Sequence, residues 1–273
     1  MKVLVVGGGY IGSNFAGYAR RRGFAVDVVD SREGWKAASF QGYDAVLFAA
    51  GIAHRRQTKG NRQLYFQVNR DLALAVQAKA ELANVGLFVY LSSMAVYGQR
   101  SGEITPHTKP APKHNDYYGL SKFEAEAAMP AAAIIRPPMV YGPGCPGKFA
   151  SLVRLAKILP VVPDSNNRRS MIYIDNLCEF LCMVIKDGKP GIFCPQNKEY
   201  VNTAQLVKLI RATMGKKTFL VSFPMGWLIK IVPPIKAAFG SLYYSAQENA
   251  KYKPINLKDS VHCMFAKRNN MKE

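Results

Sequence analysis

Tyr118 and Lys122 stand four residues apart in the run Tyr118-Gly119-Leu120-Ser121-Lys122. On a helix that spacing puts both side chains on one face. A free tyrosine titrates near about 10, too high for a base at neutral pH. A lysine cation beside it favours the phenolate. Such a pair can take or return a hydroxyl proton while a hydride moves between substrate carbon and cofactor. The pattern by itself is common, and two surface residues are the plain alternative. Ser92-Ser93 changes the setting, because these residues end a predicted strand about 25 residues before the tyrosine. A parallel sheet delivers strand ends to the cofactor side. A serine hydroxyl there can hydrogen-bond the substrate oxygen and relay its proton.

The cofactor signal is Gly7-Gly8-Gly9-Tyr10-Ile11-Gly12, a GxGxxG pattern between a predicted strand and a predicted helix. Gly7 allows the tight turn, Gly9 lets a pyrophosphate approach the backbone, and Gly12 lets the helix pack on the sheet. Amides at the start of the helix, around Tyr10 and Ile11, then face the phosphates. Asp30 follows Gly12 by 18 residues, at the end of the second predicted strand. A carboxylate there accepts hydrogen bonds from ribose hydroxyls and repels the extra phosphate of NADP, so NAD is expected. Arg32 nearby weakens that preference, and FAD shares the fingerprint.

The elements that must position these residues alternate. Val3–Val6 reads as a strand buried on both faces. A helix is expected from Tyr10 to Arg22, closed by Gly23. Strands are expected at Ala25–Asp30, Ala45–Ala50, Leu87–Leu91 and Ala132–Arg136. Helices are expected at Gln63–Leu82 and Tyr117–Met129, the second stopped by Pro130. Ser101–Asn115 reads as a loop. The predicted class is α/β, a doubly wound parallel sheet with a small C-terminal substrate-binding lobe. Residues 1–136 form the nucleotide-binding core in this reading. Residues 137–273 are mainly the lobe, with some segments returning to the core. In the second half, helices are expected at Phe149–Ile158 and Asn176–Ile185, strands at Met171–Ile174 and Gly191–Cys194, and a helix capped by Thr203. Phe219–Ile235 reads as a packed helix with irregular ends. Trp227, Phe239, Tyr243 and Tyr244 suit either a base-binding pocket or a core.

Charge adds a partner argument. The formal net charge is +19, divided as +7 over residues 1–136 (17 basic, 10 acidic) and +12 over 137–273 (20 basic, 8 acidic). A basic field attracts anions of any kind. No nucleic-acid recognition motif accompanies it, so an anionic small substrate is the economical reading. Association with a membrane surface stays open. No apolar run is long enough for a transmembrane span. Five cysteines in this length do not make a disulfide framework. Cys178 and Cys182 lack partners at metal-ligand spacing and read as core thiols. The expected compartment is the reducing cytoplasm.

Taken together, these segments resemble the extended short-chain dehydrogenase/reductases, in the branch of NAD-dependent epimerases and dehydratases acting on sugar nucleotides. The matching runs are Ser92-Ser93-Met94-Ala95-Val96-Tyr97-Gly98, Tyr118 to Lys122, Arg136-Pro137-Pro138-Met139-Val140-Tyr141-Gly142-Pro143, and Arg168 to Asn176. Ala49-Ala50-Gly51 and Val68-Asn69 resemble cofactor-side segments of the family. The resemblance implies Tyr118 as base, Lys122 as its partner, and Ser93 as third catalytic residue, with Ser92 beside the cofactor. Arg169 matches the arginine that grips the substrate diphosphate, a role suited to a bidentate guanidinium. Four features depart from the pattern. The glycine loop is one residue shorter than the usual GxxGxxG. Only 14 residues separate Asp30 from Asp44, so the usual third strand is missing or vestigial. Met139 stands where many relatives place a substrate-binding asparagine. The helix after Lys122 is short.

The resemblance implies a sugar-nucleotide 4-epimerase working through a 4-keto intermediate, with a UDP-sugar as substrate. A nucleotide-sugar 4-ketoreductase uses the same residues, and a non-catalytic NAD sensor is a further alternative. A 4,6-dehydratase is disfavoured, because Met94-Ala95 after Ser93 offer no acid for water elimination. The oligomeric state is open, a homodimer included.

Overall fold

The computed structural model describes residues 1–53, 55–221, 239–245 and 252–269 of the 273-residue chain. In chain order the strands are β1 (Lys2–Val6), β2 (Ala25–Val29), β3 (Ala45–Phe48), β4 (Leu87–Leu91), β5 (Gly102–Ile104), β6 (Ala133–Ile135), β7 (Met139–Tyr141), β8 (Val161–Pro163), β9 (Met171–Tyr173), β10 (Gly191–Phe193), β11 (Phe219–Val221) and β12 (Leu242–Tyr244). The helices are α1 (Tyr10–Arg21), α2 (Gly34–Ala37), α3 (Arg62–Phe66), α4 (Leu72–Leu82), α5 (Tyr117–Ala127), α6 (Lys148–Ile158), α7 (Ile174–Asp187), α8 (Thr203–Ala212) and α9 (Leu257–Asn269).

Six strands form one sheet in the order β10-β6-β4-β3-β1-β2, every pairing parallel. The cause is legible in the strands themselves. β1, β3 and β4 are runs of apolar residues buried on both faces, as a sheet covered by helices requires. This is a Rossmann-type α/β fold. The chain runs from β1 outward to β2, then returns to the other side of β1 as β3. That reversal opens a crevice at the carboxyl ends of β1 and β3. Between β2 and β3 the chain makes only the four-residue helix α2. No strand extends the sheet beyond β2, so the third strand expected of the family is absent among the described residues.

The chain divides into two units. The first contains Met1–Gly98, Lys109–Pro138 and Ile174–Pro195. The second contains Gln99–Thr108, Met139–Tyr173 and Gln196–Glu273. The division is interleaved: Gln99–Thr108 falls in the second unit and Ile174–Pro195 in the first. The core of the first unit packs Val6, Val46, Phe48 and Tyr90 from the sheet against Val76 of α4 and Ala125 of α5. Cys178 and Cys182 are buried in α7.

The second unit is built from parallel strand pairs, β7 with β9, β8 with β11 and β5 with β12. Buried Tyr141 anchors it. Its hydroxyl shares a hydrogen bond with Ser260 at 2.7 Å and accepts one from Asn197 at 2.8 Å. Four expectations change here. Part of the loop 101–115 is strand β5. Phe219–Val221 is a strand rather than the start of a helix; residues 222–235 and Trp227 lie outside the described residues. Asn202, not Thr203, caps α8, its side chain accepting from the Gln205 amide at 3.1 Å. Tyr244 is core, and Tyr243 packs edge-on against Tyr200 at 5.0 Å. Among the described residues, no helix is long and apolar enough to cross a membrane.

Candidate active site

The glycine turn sits at the crevice. Gly7 adopts φ +109°, and a Cβ on it would lie 2.6 Å from the Ala50 amide nitrogen. Gly12 is equally constrained, since its Cβ would meet the Gly7 carbonyl oxygen at 2.0 Å. Gly9 differs, with nothing within 4 Å of a Cβ built there. The turn is therefore closed where α1 meets the sheet and open at its middle glycine. Tyr10 and Ile11 begin α1, and no side chain caps its start. A phosphate can approach the first-turn amides.

Gly7 also donates to the Val29 carbonyl at 2.9 Å, which places Asp30 beside the turn. The Asp30 carboxylate is exposed and accepts the amides of Glu33 and Arg32 at 3.1 and 2.9 Å, both through Oδ2. Those backbone hydrogen bonds lower its pKa. Asp30 thus shapes the turn that replaces the missing strand while remaining an anion at the sheet edge.

Across the crevice, the amides of Ala49 and Ala50 both donate to the Val6 carbonyl, at 2.9 and 3.1 Å. Gly51 follows, and a Cβ there would lie 3.1 Å from Asn69 Oδ1 and 3.3 Å from Lys122 Nζ. Asn69 is fully buried in a π-helical turn, Gln67–Asp71, that interrupts the helix expected over 63–82. Such turns often sit at functional sites. Its side chain accepts from the Ile52 amide at 2.9 Å and donates to Ser121 Oγ at 3.1 Å. Asn69 therefore ties the segment after β3 to α5.

Helix α5 presents the tyrosine and lysine. Asp116 caps it, accepting the Gly119 amide at 3.2 Å. Gly119 lets α5 approach the turn that begins at Ser93, because a Cβ there would be 2.9 Å from the Ala95 carbonyl oxygen. Ser93 caps the short helical turn Met94–Tyr97 and accepts the Ala95 amide at 3.2 Å. Ser93 also hydrogen-bonds Tyr118 through its side chain. Lys122 is 3% exposed, donates to the Leu91 carbonyl at 2.7 Å, and lies 4.6 Å from the Tyr90 ring centroid.

Burial sets the electrostatics. It pushes Lys122 down to about 7, with Glu126 pulling weakly the other way. It raises Tyr118 above its ordinary value, and the Ser93 hydrogen bond opposes that rise. The spacing of Tyr118 and Lys122 predicts a tyrosine eased toward the phenolate. In the chain alone the lysine is itself desolvated, and Ser93 is the group that stabilises the phenolate.

Ser92 Oγ is buried without a hydrogen-bond partner among the described residues. A buried hydroxyl at the end of β4 that lacks a partner suits a site completed by a bound group. Together with the open middle glycine, it shows that the residues of the first unit fit a dinucleotide. Gly7, Gly9, Gly12, Asp30, Asn69, Ser92 and Lys122 all belong to this unit.

Residues 3–194 match the sequence model of the NAD dependent epimerase/dehydratase family. The chain belongs to that family. It is 32% identical over 214 residues to a UDP-glucose 4-epimerase of Vibrio cholerae, covering 72% of this chain and 63% of that protein. It is 28% identical to an N-acetyl-alpha-D-glucosaminyl-diphospho-ditrans,octacis-undecaprenol 4-epimerase of Escherichia coli O157:H7, covering 68% of this chain and 60% of that protein. The matched region thus spans about three fifths of these curated relatives. Among solved structures, UDP-glucuronic acid 4-epimerase from Bacillus cereus in complex with NAD shares the fold with a TM-score of 0.77, 17% identity and full coverage of both chains.

The other two residues expected at the site lie in the second unit. Met139 starts β7 and pairs with Met171 of β9. Arg169 precedes β9, donates to the Gly240 carbonyl at 2.8 Å and bridges to Val201 and Leu242. Its burial lowers its pKa. Arg168 is exposed. The sequence reading gave no role to Asp116 or Gly119, although Asp at a helix start and Gly within it are local signals. It also missed the buried pair of Glu126 and Arg136, at 2.6 Å, which braces the far end of α5.

Proposed function

We propose that the protein is an NAD-dependent 4-epimerase of diphosphate-linked sugars, with UDP-sugars as first candidates, acting in the cytoplasm. The observation that carries this reading is the convergence of Ser93, Tyr118 and Lys122 at the end of β4, next to a glycine turn open at Gly9. The kinship with 4-epimerases supports the finer choice.

Bound NAD supplies a hydride acceptor and the positive charge of its ring. The chain's own residues do the rest. Tyr118 takes the proton of the C4 hydroxyl, and Ser93 holds the same oxygen and steadies the phenolate. Lys122, fixed by the Leu91 carbonyl, would offer a hydrogen-bond donor to the bound cofactor. Asp30 receives the adenosine ribose hydroxyls and disfavours NADP. Arg169 holds the diphosphate of the substrate. The 4-keto sugar would then turn, take the hydride back on its other face, and regain its hydroxyl proton from Tyr118.

A second reading, a 4-ketoreductase, is favoured by Met139, which offers no amide to a sugar hydroxyl where relatives place asparagine. One experiment separates the two. UDP-sugars, and the undecaprenyl-linked substrate named for the second relative, are followed by NMR with and without NADH. Interconversion of C4 isomers without net NADH change supports the epimerase. Stoichiometric NADH consumption supports the reductase. No turnover of any substrate, with NAD still bound, sinks both and leaves a sensor.

A further inference from the structure

The second unit carries an exposed apolar face that the reaction does not use. α6 runs into β8, and β8 pairs with β11 in the register Val161 with Phe219, Val162 with Leu220 and Pro163 with Val221. In a parallel pair, register partners lie on one face. Val162 is buried, so its row faces inward; Val161 and Phe219 are 52% and 60% exposed, so their row faces outward. An outward row on a two-stranded sheet is ordinarily polar. Here it is apolar. Leu155 and Ile158, at the end of α6 shortly before β8 in the chain, are also exposed, at 53% and 75%.

The neighbours of this face are mostly basic, although the exposed Asp164 follows β8 and donates its amide to the Val221 carbonyl at 3.0 Å. Arg154 and Lys157 flank the apolar residues of α6 and are exposed. Lys216 reaches the Lys157 carbonyl at 2.9 Å, so the exposed pair Lys216 and Lys217 lies at the same edge. No Asp or Glu occurs within 148–163 or 211–221.

We propose that the outward face of the β8–β11 pair, with the end of α6, docks on an anionic phospholipid bilayer. Apolar side chains rimmed by lysine and arginine match the two layers of a lipid surface, acyl boundary below and anionic headgroups above. A second copy of the chain fits less well, because the same cations would face each other across the contact. The mode is peripheral, consistent with the lack of a spanning helix among the described residues. This inference does not depend on which sugar chemistry the first unit performs.

The test is flotation of the full chain with vesicles of phosphatidylcholine alone or mixed with phosphatidylglycerol. Binding to the mixed vesicles is expected, with little to the neutral ones, and it should fall as salt is raised. Replacing Lys157, Lys216 and Lys217 by Gln should weaken partitioning at least about tenfold. The pair Ile158→Ser and Phe219→Ser should do likewise. All five positions are exposed, and unchanged melting and NAD binding verify that the variants fold. Absence of binding to the mixed vesicles at low salt overturns the proposal. So does binding that the Gln variant leaves unchanged. A dimer in sedimentation velocity that Ile158→Ser and Phe219→Ser split would assign the face to a second copy, and would overturn it as well.

Discussion

Lys122 Nζ donates to the carbonyl oxygen of Leu91 at 2.7 Å, so the last residue of β4 holds the lysine of α5 in place. The bond fixes where the ammonium sits but does not supply a countercharge. Burial therefore lowers Lys122 to about 7. A lysine whose folded pKa lies below its unfolded value costs stability wherever it must be charged in the fold. That cost is fully present below about 7 and is relieved as pH rises toward the unfolded value of 10.5. Lys122→Met removes it. The variant is expected to be more stable than the parent at pH 6 to 7, by on the order of a few kcal/mol, and the gap should close with rising pH. Denaturant melts of both proteins across this range check it. A gap that does not change with pH would falsify the assignment of the buried ammonium.

Tyr118 has a separate signature. Its hydroxyl is raised by burial and steadied by Ser93. Tyr118→Phe keeps the ring and removes the proton acceptor. Turnover should fall by about 10²- to 10⁴-fold, while NAD affinity changes little. Ser93→Ala should lower turnover less and move the acidic limb of its pH profile to higher pH, since the phenolate loses its hydrogen bond. Single-turnover kinetics against pH decide this, and equal loss of NAD binding in Tyr118→Phe would contradict it.

Asp30 is the residue proposed to set the cofactor choice. It is an exposed anion with its pKa lowered by the amides of Glu33 and Arg32. Asp30→Ser removes the charge and keeps a short hydrogen-bonding side chain for the turn. NAD affinity should drop about tenfold, the equivalent of about 1.4 kcal/mol, and NADP affinity should rise, helped by Arg32. Calorimetric titration with both cofactors measures the ratio. An unchanged ratio would place the ribose elsewhere.

How much of this could be read from the sequence depends on the range of the signal. β1 and β4 were legible because a strand covered on both faces is a run of apolar residues. The glycine turn was legible because Gly7 and Gly12 have no room for a Cβ. The loss of the third strand followed from the distance between Asp30 and Asp44. The three-residue strands β5 and β12 left no such trace. They pair across well over a hundred residues, and no local period marks them. The π turn at Asn69 is likewise hidden, since the one-position shift it makes in the helical pattern leaves no mark in a run as broadly apolar as Leu72–Leu82. Burial of Lys122 is a property of packing, so spacing alone suggested a helpful cation where the fold makes a reluctant one. At α8 the expected cap is Thr203; the residue before it, Asn202, is an equally good capping type, and its bond to the Gln205 amide makes it the cap.

The last expectation concerns the buried pair behind the site. Arg136 donates to Glu126 through Nε and Nη2, at 3.1 and 2.6 Å, and to the Tyr97 hydroxyl at 2.9 Å. Tyr97 closes the turn that Ser93 opens, and Glu126 lies one helical turn beyond Lys122. The network therefore braces the turn that holds Ser93 and the helix that holds Lys122. Glu126→Ala leaves a buried guanidinium without its carboxylate and should cost about 3–5 kcal/mol of stability. Glu126→Leu combined with Arg136→Met removes both charges and should recover most of that loss. If positioning is the purpose of the pair, the recovered double variant should remain slow in turnover with NAD affinity near the parent. If the double variant is both stable and fully active, the pair serves stability alone.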